Sequence, residues 1–271
     1  TVLDAALRAG LNLPHSCKGG HCGSCRARVL RGRFVYPRGR TAGLTKDEEA
    51  EGYALLCAAH ATSDLEVETR EIRPAPDVEV KSLPCRIERL TRIAGDVMSV
   101  MLRLPAVEEF HFRPGQYLDV MLGGGRRRSF SIASPPHDAA RLELHVRRAP
   151  GGGFSEAVFE AMPVGTLLKV EAPIGQFFYE PSAAPLLLVA GGTGFAPIKS
   201  ILRHVLEVEG STRPVHFYWG ARAAIDVYEH GTVRRWAGEH PNLRVVPVLS
   251  APGGDAGWRR GWVHEAAAAD L

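Results

Sequence analysis

The chain has 271 residues, with 33 Lys and Arg against 30 Asp and Glu, a formal net charge of +3. At about 150 residues per domain, two or three domains are expected. A hydrophobic share of 45% with 23% charged residues excludes wholesale disorder. The balanced charge argues against a nucleic-acid partner held by bulk charge. No apolar run approaches the ~20 residues of a membrane helix, so no membrane partner is expected.

In chain order, Thr1-Val2-Leu3-Asp4 reads as a capping box, with a helix through Leu7 that stops near Gly10. A Cys- and Gly-rich loop follows, His15 to Ser24. Arg26 to Val35 reads as a strand with a Gly turn, and Leu65 to Thr69 alternates like another. Pro74 to Asp77 marks a linker. Beyond it, Val97–Leu104, Gly115–Met121, Leu142–Val146 and Leu167–Val170 alternate between Gly and Pro clusters, which predicts a small antiparallel barrel.

From about Pro181 the period changes. Leu186–Ala190 is a continuous apolar run, the pattern of a parallel strand buried on both faces. Gly191–Pro197 reads as a loop. Ile198, Ile201, Leu202, Val205 and Leu206 then repeat at helical spacing. Val215–Trp219 and Leu243–Leu249 are further strands, which makes βαβ grammar.

Of the five cysteines, too few for a disulfide scaffold, Cys17, Cys22 and Cys25 follow C-x4-C-x2-C, and Cys57 lies further on. This is the plant-type [2Fe–2S] ligand spacing: four thiolates around two irons, three from one tight loop. Gly19, Gly20 and Gly23 let backbone N–H groups approach the sulfides. Ordinary thiols, a disulfide framework, or zinc held with His21 are the alternatives. Zinc sites usually pair ligands as C-x2-C twice, which is absent here. Cys85 sits outside the pattern and reads as a plain buried or strand thiol.

Arg128-Ser129-Phe130-Ser131 lies in an expected strand. It supplies a cation for flavin phosphates, an aromatic for the ring and a donor near N5, although a solvated basic turn would also explain it. Gly151-Gly152-Gly153-Phe154-Ser155 precedes a helical run, Glu156 to Met162. Such a helix start favours a phosphate, or is a flexible loop with Ser155 as N-cap. Gly191-Gly192-Thr193-Gly194-Phe195-Ala196-Pro197 is similar to G-x-G-x-x-G with Pro in the last position, a turn that lets a pyrophosphate approach the backbone. Alternatively it is a structural βα turn. Lys199-Ser200 is not a P-loop ending, because Ile198 stands where its glycine should be. Arg222, followed by Asp226, lies at a strand end suited to a ribose or adenine, or forms a surface salt bridge.

In this order the three blocks resemble the ferredoxin–flavin–NAD(P) reductases of the ferredoxin-reductase superfamily. Arg127–Ile132, Leu142–Phe154, Leu187–Ile201 and Tyr218–Arg222 carry a closer likeness to its CDP-6-deoxy-Δ3,4-glucoseen reductases. Reductase components of bacterial oxygenases share the order.

The resemblance implies a multidomain α+β and α/β chain. A β-grasp plant-type ferredoxin domain (1–73) and a linker (74–82) would lead to an FAD-binding antiparallel β-barrel (83–179). A parallel-sheet NAD(P)-binding domain (180–271) would follow. The family has a strand hairpin ahead of the first helix and a Cys-Gly-Pro strand at its end. Both are expected outside this sequence, so the last domain is expected to be incomplete.

The resemblance also assigns residues. Arg128 would bind the flavin pyrophosphate, and Phe130 would stack on the ring where the family often has Tyr. Ser131 would hydrogen-bond near N5, the one catalytic assignment. His145, Val146 and Arg147 would line the flavin, and Gly152, Gly153, Phe154 and Ser155 would hold its phosphates. Gly192, Thr193, Gly194 and Pro197 would meet the NAD(P) pyrophosphate, and Arg222 the ribose region.

The expected activity is electron transfer from NAD(P)H, with NADH favoured, through FAD and a [2Fe–2S] cluster at Cys17, Cys22, Cys25 and Cys57. The acceptor would be a partner protein, a dehydrase or oxygenase component, in the cytosol. A non-catalytic iron–sulfur or zinc-binding module is the rival reading.

Overall fold

A computed structural model of the chain describes residues 1–16, 18–69, 80–106, 110–151, 153–251 and 258–270. The chain divides into two compact units. One holds Thr1–Glu79 with Gly175–Phe177; the other holds Val80–Ile174 with Phe178–Leu271.

In the first unit, helix α1 (Val2–Arg8) starts at the expected capping box. The Thr1 hydroxyl accepts the Asp4 N–H at 3.2 Å and donates to the Asp4 carboxylate at 2.7 Å. The elements β1 (Arg26–Arg31), β2 (Phe34–Val35), α2 (Lys46–Ala50), β3 (Tyr53–Leu55), β4 (His60–Ala61) and β5 (Glu66–Glu68) follow. Strands β3-β1-β5 form one antiparallel sheet and β2-β4 another. Arg26–Val35 is therefore two strands in two sheets, not one. Gly32, at φ +97°, makes the break: a Cβ there would lie 2.0 Å from the Asp64 carbonyl oxygen. Leu3, Leu13, Ala27, Leu44, Leu55 and Leu56 fill the core, and the Val2 and Leu3 N–H groups donate to Ala59 and Leu56. The Pro74–Asp77 linker lies outside the described residues.

The second unit opens with β6 (Lys81–Arg92), so the last two residues given to the linker belong to a strand. Strands β7 (Val97–Arg103), β8 (Tyr117–Met121), β9 (Arg127–Ser131) and β10 (Arg141–Arg147) follow. Helix α3 (Phe154–Glu160) and β11 (Leu167–Ile174) complete the set. The sheet order is β10-β7-β6-β11-β8-β9, antiparallel throughout, and an Ile132–Leu144 bridge closes it into the expected barrel. Alternate residues face inward, as in Leu142, Leu144 and Val146 of β10. Cys85 is a buried thiol of β6, as expected, and burial pushes it up to about 12.

A parallel sheet follows in the same unit: β12 (Leu186–Gly191), α4 (Phe195–His204), β13 (Val215–Ala221), α5 (His230–Glu239), β14 (Leu243–Leu249), β15 (Arg259–Arg260) and α6 (Val263–Ala269). The Gly191–Pro197 loop is tighter than expected. Gly192–Gly194 forms a 3-10 turn running straight into α4, with Pro197 in its first helical turn, where a missing N–H costs nothing.

Strand β12 is not buried on both faces. Leu188 and Ala190 are buried with α4, but Leu187 and Val189 are 39% and 40% exposed. Among the described residues β12 is an edge strand. No described helix is long and apolar enough to cross a membrane.

Candidate functional site

The cysteine loop joins α1 to β1. Cys25 and Cys57 are buried and Cys22 is exposed, while Cys17 lies outside the described residues. The Cys57 N–H lies 3.5 Å from Cys25 Sγ. The hydrogen bond with Cys25, then burial, pushes the Cys57 thiol up, while a backbone N–H from Gly20 favours its thiolate. Gly20 and Gly23 have positive φ, as the loop reading expected. The Thr41 hydroxyl oxygen is buried with no hydrogen-bond partner among the described residues, and its side chain packs on Gly20. Soft sulfur donors, a backbone donor and a spare hydroxyl fit a group whose sulfides accept hydrogen bonds.

On the barrel, Arg128, Phe130 and Ser131 share β9. Arg128 is exposed, donating only to the Arg127 carbonyl at 3.0 Å among its side-chain bonds given by the described residues. Phe130 is half-buried against Phe154, ring centroids 5.5 Å apart. Ser131 pairs with Tyr117 across the sheet. This fits a flavin: an open cation beside an aromatic platform. Gly152 lies outside the described residues. Gly153, not Ser155, caps α3; the Ser155 hydroxyl accepts the Ala149 N–H at 3.1 Å.

The stretch expected to line the flavin points three ways. Val146 enters the barrel core. His145 and Arg147 stand on the opposite face of β10 with Glu143. His145 turns to the Tyr228 hydroxyl (2.9 Å) and Glu143 (3.2 Å). Arg147 reaches Gly192.

A cleft of about 290 Å³ opens at the C-terminal ends of β12 and β13, lined by Arg147, Gly192, Gly220, Arg222, Asp226 and Trp262 among others. Ligands of open parallel sheets bind at such strand ends. Gly192 has φ +51°, and a Cβ on it would meet Arg147 Nη1 at 3.1 Å. Arg147 Nε is 3.1 Å from Asp96 Oδ2 as an ion pair, yet both Nε and Nη2 are buried without a hydrogen-bond partner among the described residues. An under-satisfied guanidinium beside an open glycine turn fits a diphosphate. Thr193 and Gly194 complete the turn; Arg222 is exposed at the cleft.

A buried charge cluster that no motif in the sequence announces shares the outer face of β10 with Arg147. Lys199 Nζ contacts Glu143 Oε2 at 2.9 Å and Glu229 Oε1 at 2.8 Å, and Ser99 donates to Glu143 Oε1 at 2.7 Å. Burial pulls the Glu143 carboxyl up, but the His145 hydrogen bond and the Lys199 charge outweigh it and hold it well below the usual range. A lysine inside the apolar spacing of α4 was the available signal.

Family models match three stretches: a 2Fe-2S iron-sulfur cluster binding domain at residues 1–62, an oxidoreductase FAD-binding domain at 84–179 and an oxidoreductase NAD-binding domain at 188–271. The chain is 36% identical over 273 residues to the CDP-6-deoxy-L-threo-D-glycero-4-hexulose-3-dehydrase reductase of Yersinia pestis, covering all of this chain and 81% of that one. It is 36% identical over 251 residues to a terephthalate 1,2-dioxygenase reductase component of Comamonas, covering 92% and 74%. Among solved structures, the Amycolatopsis cytochrome P450 reductase superposes with a TM-score of 0.75 at 34% identity, covering 100% and 82%. The thiol loop, the aromatic-and-cation face of the barrel and the glycine turn of the parallel sheet thus belong together, and the chain is a member of the ferredoxin reductase family, an NAD(P)H-dependent oxidoreductase that moves electrons by way of FAD and a [2Fe–2S] cluster to an acceptor partner.

Proposed function

We propose that the cleft takes NADH with its pyrophosphate over Gly192, Thr193 and Gly194, clasped by Arg147, with Pro197 fixing the start of α4. One observation carries this reading: Arg147 is half-buried beside the Gly192 turn, and its buried Nε and Nη2 both lack hydrogen-bond partners among the described residues. Leaving a buried donor unpaired costs about 1–3 kcal/mol, which a phosphate oxygen would offset. Arg147 is thereby reassigned from the flavin to the nucleotide. Arg222 meets the ribose region. The Asp226 carboxylate lines the same cleft, which disfavours a 2′-phosphate and supports NADH over NADPH.

Arg128 holds the flavin pyrophosphate, Phe130 covers the ring and excludes water, and the Ser131 hydroxyl hydrogen-bonds at N5. His145 and Val146 contribute backbone, and Gly152, Gly153, Phe154 and Ser155 surround the phosphates. Cys17, Cys22, Cys25 and Cys57 ligate the cluster. When bound, flavin accepts a hydride and releases single electrons, and the cluster takes them singly. The division into a cluster domain, a flavin barrel that opens with β6 and a nucleotide domain from about residue 180 follows these three tasks.

The acceptor is the dehydrase component of a deoxyhexose system. The likeness to the Yersinia reductase over the whole chain supports this. A mono- or dioxygenase component is the second reading, supported by the likeness to the Comamonas reductase. The thiols the cluster needs suit a reducing compartment, the cytosol.

The test is a visible spectrum of the holoenzyme before and after anaerobic NADH. Flavin and iron–sulfur bands that both bleach are expected; a protein reconstituted with both cofactors and inert to NADH and NADPH overturns the reading. NADH oxidation coupled to a purified CDP-6-deoxyhexulose dehydrase, but not to a terephthalate oxygenase component, selects the acceptor.

A further inference from the structure

Glu143, His145 and Arg147 form one outer row of β10, and each meets the parallel-sheet part of the same unit at a different point. Glu143 meets Lys199 of α4, His145 meets Tyr228 ahead of α5, and Arg147 meets the Gly192 turn. The inner row of the strand is the barrel core. One strand thus carries both the barrel packing and the seat of the nucleotide turn.

Lys199 is the centre of this seat. It lies about one turn into α4 and is buried, its ammonium between Glu143 and Glu229. Glu143, His145 and Glu229 offer the only clustered set of metal-ligand atoms found among the described residues. Lys199 bonds to two of these residues, so the ammonium takes the place a cation would have.

A buried charge cluster is a poor way to gain stability, since well-packed apolar groups often do as well. Its distinct property is direction. The apolar face of α4, with Ile198, Ile201 and Leu202, packs without orientational preference. The charge-assisted contacts of Lys199 are short and directional. They fix the N-terminal end of α4, and with it the turn, against the strand that carries Arg147. Ser200, whose hydroxyl donates to the Ser134 carbonyl at 2.8 Å, pins the next residue of the helix to the barrel.

We propose that Lys199 is a positioning residue for the nicotinamide nucleotide: bridging Glu143 and Glu229, it sets the Gly192–Gly194 turn at the distance from Arg147 that a pyrophosphate needs. This rests on the reading of the cleft given above.

The test is calorimetric binding of ADP-ribose, which lacks the nicotinamide, to the oxidised holoenzyme. Lys199→Met should raise its Kd about tenfold. Flavin content and visible spectrum should stay at the parent's values. In NADH–ferricyanide turnover, KM should rise by the same factor with kcat nearly unchanged. Lys199→Arg should restore most of the binding, because its charge can still bridge both carboxylates. A Lys199→Met protein that binds ADP-ribose like the parent overturns the proposal, whatever its melting temperature.

If that variant retains no flavin, Glu229→Gln decides, since it leaves the Glu143–Lys199 pair intact. A Kd raised about threefold supports the role, and a parental Kd overturns it. A parent protein that binds NADH but not ADP-ribose overturns the positioning role alone; one that binds neither overturns the cleft reading itself.

Discussion

Trp219 donates its indole N–H to the Gly192 carbonyl at 3.1 Å while its ring stacks on Phe195, centroids 4.0 Å apart. One side chain therefore joins the strand before the cleft, the glycine turn and the first residue of α4. Trp219→Phe keeps an aromatic in the stack and removes the hydrogen bond. Urea unfolding should show a loss of about 1 kcal/mol. The NADH KM should rise while flavin content holds; an unchanged KM would mean the turn needs no such brace.

Gly192 and Arg147 define the second expectation. Gly192→Ala places a Cβ at positive φ, costing about 1–2 kcal/mol, and pushes on the Arg147 guanidinium. Arg147→Ala removes the cation itself. Steady-state kinetics of Arg147→Ala should give an NADH KM about tenfold above the parent with flavin content unchanged. Flavin loss instead would return Arg147 to the flavin site.

Cys22 is exposed, so its replacement should disturb the core little. Cys22→Ser should lose the iron–sulfur absorbance yet keep flavin reduction by NADH, because the nucleotide cleft is built from other residues. Absorbance spectra after anaerobic NADH decide this, and a variant that retains the cluster bands rejects Cys22 as a ligand.

Arg128 stands open on the barrel surface. Without the cation, flavin phosphates would lose the charge-assisted contact proposed for Arg128. Arg128→Ala should come through gel filtration with less bound flavin than the parent, and equal flavin content would reject its role.

Glu143 predicts a pH dependence of stability. Its folded-state pKa is below the ordinary value of 4.5. Such a shift stabilises the fold above the unfolded pKa, and the gain is lost as pH falls toward the folded value. Glu143→Gln should be about 3 kcal/mol less stable than the parent near neutral pH, because Lys199 loses a buried partner. The gap should narrow below about pH 4.5. Urea melts of both proteins at neutral and acid pH test this; a gap independent of pH would show that the carboxylate charge is not what matters.

Much of this was legible in the residues alone. The capping box at Thr1 was readable because a cap is made within four residues. Strand β10 was readable from its alternation, but only its inner row had a visible meaning. The outer row, Glu143, His145 and Arg147, takes its meaning from Lys199, Tyr228 and the Gly192 turn, which meet it from far along the chain. Strand β6 went unread because Pro84 and several charges break up its apolar alternation of Leu83, Cys85 and Ile87.

The three chemistries are written in short stretches of residues. The thiol spacing, the aromatic-and-cation strand and the glycine turn are each local, and local chain geometry constrains their shape. What Arg147 and Lys199 touch is set by the tertiary packing alone. Lys199 meets Glu143 across 56 residues and Glu229 across 30. Contacts at that separation depend on how a barrel strand and a helix pack, and spacing along a chain carries no information about the face on which two distant side chains meet.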